Sequence, residues 1–91
     1  MPYNDLPMTI QLLYFARLRE AFGGGETLQL PPGKTTVADI LAHLRARGGK
    51  WRRELASGKA LAFAVNQTIA APETTVPRDA EVAIFPPVTG G

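Results

Sequence analysis

The clearest periodic signal in this 91-residue chain is a single helical stripe. Val37, Ile40, Leu41 and Leu44 recur at the three- and four-residue spacing that gathers apolar side chains on one helix face. Thr36 stands before the stripe as a natural N-cap. Asp39, three residues on, makes a shortened capping box, and Gly48-Gly49 closes the segment. The remaining apolar residues come in short runs of β-branched and aromatic type: Thr9 to Phe15, Glu26 to Leu30, Leu61 to Val65, Thr68 to Ala70 and Glu81 to Phe85. A chain of this length supports one core. One main helix and five short strands sharing that core predict an α+β domain, with an antiparallel-rich sheet and the helix packed on one face.

The punctuation fits this order. Ala16 to Phe22 is a short helical segment with Leu18 and Phe22 four apart, stopped by Gly23-Gly24-Gly25 in a flexible turn. A second runs from Lys50 to Ser57, with Trp51 and Leu55 on one face and Gly58 as its terminating glycine. Pro31-Pro32-Gly33 ends the second strand, Pro72 the fourth, and Pro77-Arg78-Asp79 forms the turn into the last. Residues 1–7 carry two prolines and no period and are expected to be a loose leader. The domain proper should span 8–85, and 86–91 should form a flexible extended tail.

Composition excludes several classes. With no cysteine and His43 as the one histidine, there is neither a disulfide framework nor a Cys/His zinc site, so no metal is expected. No apolar run approaches the roughly 20 residues that span a bilayer, and no secretory leader opens the chain, so a cytoplasmic protein without a membrane partner is expected. Ten Lys and Arg against eight Asp and Glu leave a net charge of +2. The surplus is gathered in Arg45, Arg47, Lys50, Arg52, Arg53 and Lys59, opposed by Glu54 alone. No aromatic ladder or nucleic-acid motif accompanies these charges, so a solvated helix face is expected there and no nucleic acid as partner.

Catalytic patterns are absent. Gly33-Lys34-Thr35 before a helix invites comparison with a phosphate-binding loop, but that motif requires glycine at position 28, where Leu stands. Asp39 and His43 sit four apart on the main helix with no serine or cysteine nucleophile in a motif beside them, and are expected to be a surface pair. The tail is the distinctive chemistry. Pro86-Pro87 biases its start toward an extended course, whereas Gly90-Gly91 carries no side chains and can enter a narrow tunnel. Six extended residues span roughly 20 Å, enough to carry an α-carboxylate clear of the fold.

Tyr14-Phe15-Ala16-Arg17-Leu18-Arg19-Glu20, Val65-Asn66-Gln67-Thr68, and the closing run from Asp79 through Phe85-Pro86-Pro87-Val88-Thr89-Gly90-Gly91 resemble the MoaD-like sulfur carriers, the small subunits of molybdopterin synthase. The resemblance covers Met8 to Gly91. Its specific part is Phe-Pro-Pro-Val-Thr-Gly-Gly, since a bare Gly-Gly also fits sulfur carriers for thiamin or cysteine and ubiquitin-like protein modifiers conjugated through Gly91. It implies a ubiquitin-like β-grasp fold with a mixed sheet. It also implies a non-catalytic subunit that binds no cofactor and whose Gly91, preceded by Gly90, is adenylated by an E1-like adenylyltransferase that consumes ATP. A persulfide sulfur donor would convert Gly91 to a thiocarboxylate, and sulfur would pass to cyclic pyranopterin monophosphate in a large synthase subunit, within a 2:2 heterotetramer. Partner contacts are expected at Phe15, Ile69 and Phe85, and along the thread Pro86, Pro87, Val88 and Thr89.

Overall fold

A computed structural model describes residues 6–56 and 59–87. The order is β1 (Met8–Tyr14), α1 (Arg17–Phe22), β2 (Gly25–Leu30), α2 (Val37–Arg45), α3 (Gly49–Glu54), β3 (Ala62–Val65), β4 (Thr68–Ala70) and β5 (Glu81–Phe85). The strands form one five-stranded sheet in the order β2-β1-β5-β3-β4. β1 and β5 run parallel in its centre, and the pairs β1–β2, β3–β4 and β3–β5 are antiparallel. The sheet is therefore mixed, and the fold is the ubiquitin-like β-grasp that the sequence resemblance implied.

Strand period explains where the core lies. Met8, Ile10, Leu12 and Tyr14 of β1 are buried, as are Val82 and Ile84 of β5 and Phe63 and Val65 of β3. These join Val37, Ile40, Leu41 and Leu44 of α2 in one cluster. The helical stripe and the alternate strand positions thus close on each other, the arrangement that lets a small chain bury enough apolar area to fold.

The main helix is anchored at its start by more than its capping box. Thr36 Oγ1 accepts from the Asp39 amide at 3.2 Å, and an Asp39 carboxylate oxygen accepts from the Thr36 amide at 2.9 Å. The next two amides, of Val37 and Ala38, donate to the carbonyls of Thr74 and Pro72 at 3.1 and 2.8 Å. The chain crossing toward β5 therefore satisfies donors that a helix start leaves unpaired. The same bonds identify Asp39 as a cap.

Two turns differ from the sequence expectation. Gly23-Gly24-Gly25 is only partly a turn, because Gly25 opens β2 opposite Leu13. A Cβ at position 25 would collide with the Leu12 carbonyl, so glycine is required there by close backbone approach. The third helix covers 49–54 instead of 50–57. It starts at Gly49, where Gly48 and Gly49 reverse the chain at φ of 77° and 52°, and ends where Leu55 turns fully into the core. Ser57 and the terminating role expected of Gly58 lie outside the described residues. Leu6 and Pro7, the last residues of the expected leader, accept hydrogen bonds from the Arg78 guanidinium at 2.7 and 2.8 Å.

Asn66 and Gln67 form the whole loop of the β3–β4 hairpin, with Val65 paired to Thr68 across it. Both have positive φ, 49° and 69°, as tight hairpins of the right twist demand. Asn66 also ties the hairpin to β5: its amide donates to the Glu81 carbonyl at 2.8 Å, and its side-chain oxygen accepts from the Glu81 amide at 2.9 Å. That double bond pattern gives Val65-Asn66-Gln67-Thr68 a physical role in fixing register.

Among the described residues no helix is long and apolar enough to cross a membrane. Nor does any group of His, Cys, Asp and Glu among them have the arrangement to hold a metal ion.

Candidate functional site

The face of the sheet opposite the core is apolar over one end. Register places Ile69, Ala64, Ala83, Leu13 and Gly25 in one row across all five strands. Ala62 and Phe85 form the next row toward the C-terminal end of β5, where Phe15 follows β1 alongside. Phe15 and Phe85 meet edge to face, with ring centroids 6.4 Å apart at 83°. Phe15 is 43% exposed and Ile69 76% exposed, whereas Phe85 and Leu13 are partly covered. Toward the other end the same face turns polar through Thr9, Gln11, Thr27 and Glu81, with Thr27 donating to Gln11 at 3.0 Å.

Of the three expected contact residues, the fold brings Phe15 and Phe85 together. Ile69 shares their face but stands on the edge strand, separated from them by the alanines of β3. The floor formed by Ala62, Ala64 and Ala83 leaves a shallow, flat seat between the aromatic pair and Ile69. Pro86 is partly covered and Pro87 exposed where the chain leaves the sheet. Val88, Thr89, Gly90 and Gly91 lie outside the described residues.

The basic stretch is less uniform than a solvated face. Arg47 forms a two-pronged pair with Glu26 at 2.8 and 2.9 Å, and its guanidinium lies 4.4 Å from the Trp51 ring centre. Trp51 stacks on Phe22 at 3.8 Å, and Tyr14 meets both rings edge to face. The buried Tyr14 hydroxyl donates to Glu26 at 2.8 Å. The Arg47 hydrogen bonds hold Glu26 below its ordinary pKa and raise Arg47 in return, while burial first and Glu26 second raise Tyr14. Arg45 donates to the Leu55 carbonyl, and Arg17 pairs with Glu54 at 3.3 Å. These contacts fasten α1, α2 and α3 to the sheet. Lys50, Arg52, Arg53 and Lys59 remain exposed.

Two grooves of mixed lining lie elsewhere. One, of about 280 Å³, is lined by residues including Leu41, Arg45 and Phe63; the other, of about 330 Å³, includes Leu30, Lys34 and His43. Neither adjoins the Phe15–Phe85 pair; the second also takes in Thr35 and Asp39, but the Thr35 hydroxyl donates to the Gly33 carbonyl at 3.5 Å and Asp39 caps α2.

An apolar patch beside the exit of a central final strand, with no catalytic constellation among the described residues, is a geometry for presenting a terminus to another protein. The ThiS family profile matches residues 12–91. The chain belongs to this family. Two relatives, the molybdopterin synthase sulfur carrier subunits of Haemophilus influenzae and Escherichia coli, are each 40% identical over 82 residues. In both cases the match covers 90% of this chain and 99% of the relative. Among solved structures, a putative molybdopterin converting factor subunit 1 from Pyrococcus furiosus is 27% identical with a TM-score of 0.73, covering 89% of this chain and 99% of that one. Small archaeal modifier protein 1 of Haloferax volcanii is 26% identical with a TM-score of 0.61, covering 89% and 99%.

Within this ThiS-family chain, sequence reasoning did not name Ala62, Ala64 and Ala83 as the floor of the patch, although strand parity, which puts Ala83 on the face of Phe85, is a signal that points to it. It also missed the Tyr14–Glu26–Arg47–Trp51 cluster, whose members are far apart in sequence.

Proposed function

We propose that this chain is the sulfur-carrier subunit of a molybdopterin synthase, with the Gly91 carboxylate as the group that bears the sulfur. The observation that carries the reading is topological. The last strand lies in the middle of the sheet, so the chain leaves at Phe85 beside the exposed Phe15, through Pro86-Pro87 toward Gly90-Gly91. A partner seated on the open face is thereby positioned to receive the thread.

The chemistry follows from what a carboxylate lacks. With a pKa of about 3.3–3.7 it is ionised at neutral pH and a poor acyl donor. In an E1-like adenylyltransferase a Gly91 oxygen attacks the α-phosphorus of ATP, releasing pyrophosphate and leaving a mixed anhydride. The terminal sulfur of a donor persulfide attacks the acyl carbon and AMP departs; a second donor thiol then cleaves the resulting acyl disulfide, leaving a thiocarboxylate on Gly91 and a disulfide on the donor. In the large subunit, within a 2:2 assembly, the thiocarboxylate sulfur attacks a side-chain carbon of cyclic pyranopterin monophosphate and displaces an oxygen leaving group, and hydrolysis of the resulting thioester leaves the sulfur on the pterin and returns the carboxylate. Two such deliveries build one dithiolene. This chain supplies the nucleophile and the docking face, and the large subunit supplies acid and base. Phe15, Ile69 and Phe85 hold the partner, and Pro86, Pro87, Val88 and Thr89 line its channel. No bound cofactor is needed on this chain, and ATP is consumed by the activating partner.

The test is intact mass after co-expression with the activating enzyme and a sulfur donor. Exchange of one oxygen for sulfur at Gly91 is expected. One alanine added after Gly91 displaces the carboxylate by about 3.5 Å, and should abolish adenylate and thiocarboxylate while leaving melting unchanged. Normal sulfuration of the extended protein without trimming refutes the reading. The likeness to small archaeal modifier protein 1 favours a second reading, conjugation through Gly91 to lysines. A ladder of isopeptide adducts in place of the sulfur exchange would establish it.

A further inference from the structure

We infer that Ala16 is a further partner contact of the open face, and that its methyl group is the part a partner packs against. Among the described residues, four that are not glycine have positive φ: Ala16, Asn66, Gln67 and Asp79. Asn66 and Gln67 are placed by the tight hairpin, Asn66 with its side chain bonded to β5, and Asp79 occupies a turn, where aspartate is favoured. Ala16 has none of these reasons.

Its φ of 55° and ψ of −131° lie outside even the left-handed helical well, in a region that is effectively glycine's. The conformation is fixed from both sides. The Phe15 amide donates to Ile84, the Phe15 carbonyl accepts from Leu18 and Arg19, and the Ala16 carbonyl accepts from Glu20. β1 must therefore turn into α1 within this one residue. Glycine would make that turn without strain. Ala16 offers no side-chain cap to the helix, stands exposed, and lies outside the core cluster, so its methyl group serves neither capping nor burial. It does stand next to Phe15, at the end of the patch from which the chain departs. A partner surface that covers Phe15 and Phe85 reaches this exposed neighbour and, on this inference, packs on the methyl.

The inference rests on the docking-face reading above, and its test separates the two. Binding to the molybdopterin synthase large subunit is measured by titration calorimetry for Ala16→Gly, for a synthetic protein with D-alanine at position 16, and for Phe85→Ala. D-alanine favours this backbone conformation but moves the methyl group to the other side of the chain. Ala16→Gly should melt at or above the parent temperature yet bind about fourfold more weakly, as expected for one buried methyl group. The D-alanine protein should melt higher and bind as weakly as the glycine variant. If D-alanine restores full affinity, backbone stiffness is the cause and the methyl contact is refuted. If Phe85→Ala weakens binding but Ala16→Gly does not, Ala16 is no contact and the face stands. If neither weakens binding, the docking face itself falls, and Ala16 with it. A large drop in melting temperature for Ala16→Gly would make Ala16 a structural residue and overturn the inference.

Discussion

Ile84 and Phe85 are adjacent in β5, yet they belong to different problems. Ile84 is fully buried in the cluster shared with α2, whereas Phe85 faces the open side against Phe15. The same split repeats at the end of β1, between Tyr14 and the Phe15 that follows it, and in β3 between Phe63 and Ala64. One face of the sheet is closed by helices and holds the domain together. The other keeps apolar groups uncovered at one end only, and an uncovered patch is a cost in solubility that a purely structural sheet avoids with polar residues. The polar far end, with Gln11 and Thr27, shows that avoidance on the same strands.

The largest expected effect is on the closed face. Ile84→Ala removes packing from a site with no solvent access and should destabilise by about 2–5 kcal/mol, read from denaturant unfolding. Its neighbour should respond differently. Phe85→Ala should leave folding stability within about 1 kcal/mol but weaken binding to the large subunit by about 2 kcal/mol, the size of an interface hot spot. Comparable folding losses for the two variants would erase the distinction between the faces.

Much of this division was legible in the sequence because strands alternate strictly. Parity alone separates Val82 and Ile84 from Ala83 and Phe85, and Ile10, Leu12 and Tyr14 from Leu13 and Phe15. The main helix was legible because the Val37–Leu44 stripe and the Thr36 cap agree. Short helices were less so. With only six residues each, α1 and α3 owe their ends to tertiary contacts such as the burial of Leu55. The hairpin loop was legible in its bounds, since strands at Leu61–Val65 and Thr68–Ala70 leave Asn66 and Gln67 between them, although Gln67 occupies a position where glycine is usual. Glu26 and Arg47 are 21 residues apart, a spacing with no local signature. Ala16 looks like a helix former and gives no hint of its strained backbone.

A smaller effect tests how the closed face is sealed at its rim. Glu26 is held below its ordinary pKa of 4.5 by the Arg47 bonds first. A depressed carboxylate contributes stability above its unfolded pKa and loses it as pH falls through the folded value. Stability should therefore decline as pH drops below about 4.5, and Glu26→Gln should flatten that part of the profile. Since both partners retain some solvent exposure, the contribution at neutral pH should be no more than about 1 kcal/mol. An unchanged acid profile in Glu26→Gln, followed by thermal melting across pH, would show that the aromatic stack alone closes the rim.

The smallest effect on folding is expected where exposure is greatest. Ile69 is 76% exposed on the edge strand, so Ile69→Ser removes almost no buried area and should change unfolding free energy by less than about 0.5 kcal/mol. Serine is also less prone than isoleucine to recruit stray strands to a sheet edge, so solubility should rise. Binding is the discriminating measurement. Ile69 lies across the alanine floor from the Phe15–Phe85 pair, so a partner covering the whole seat loses an anchor in Ile69→Ser, whereas one gripping only the aromatic end does not. A severalfold rise in Kd for the large subunit, with melting unchanged, would extend the docking face across the sheet to β4. An unchanged Kd would confine it to the strand ends where the tail departs.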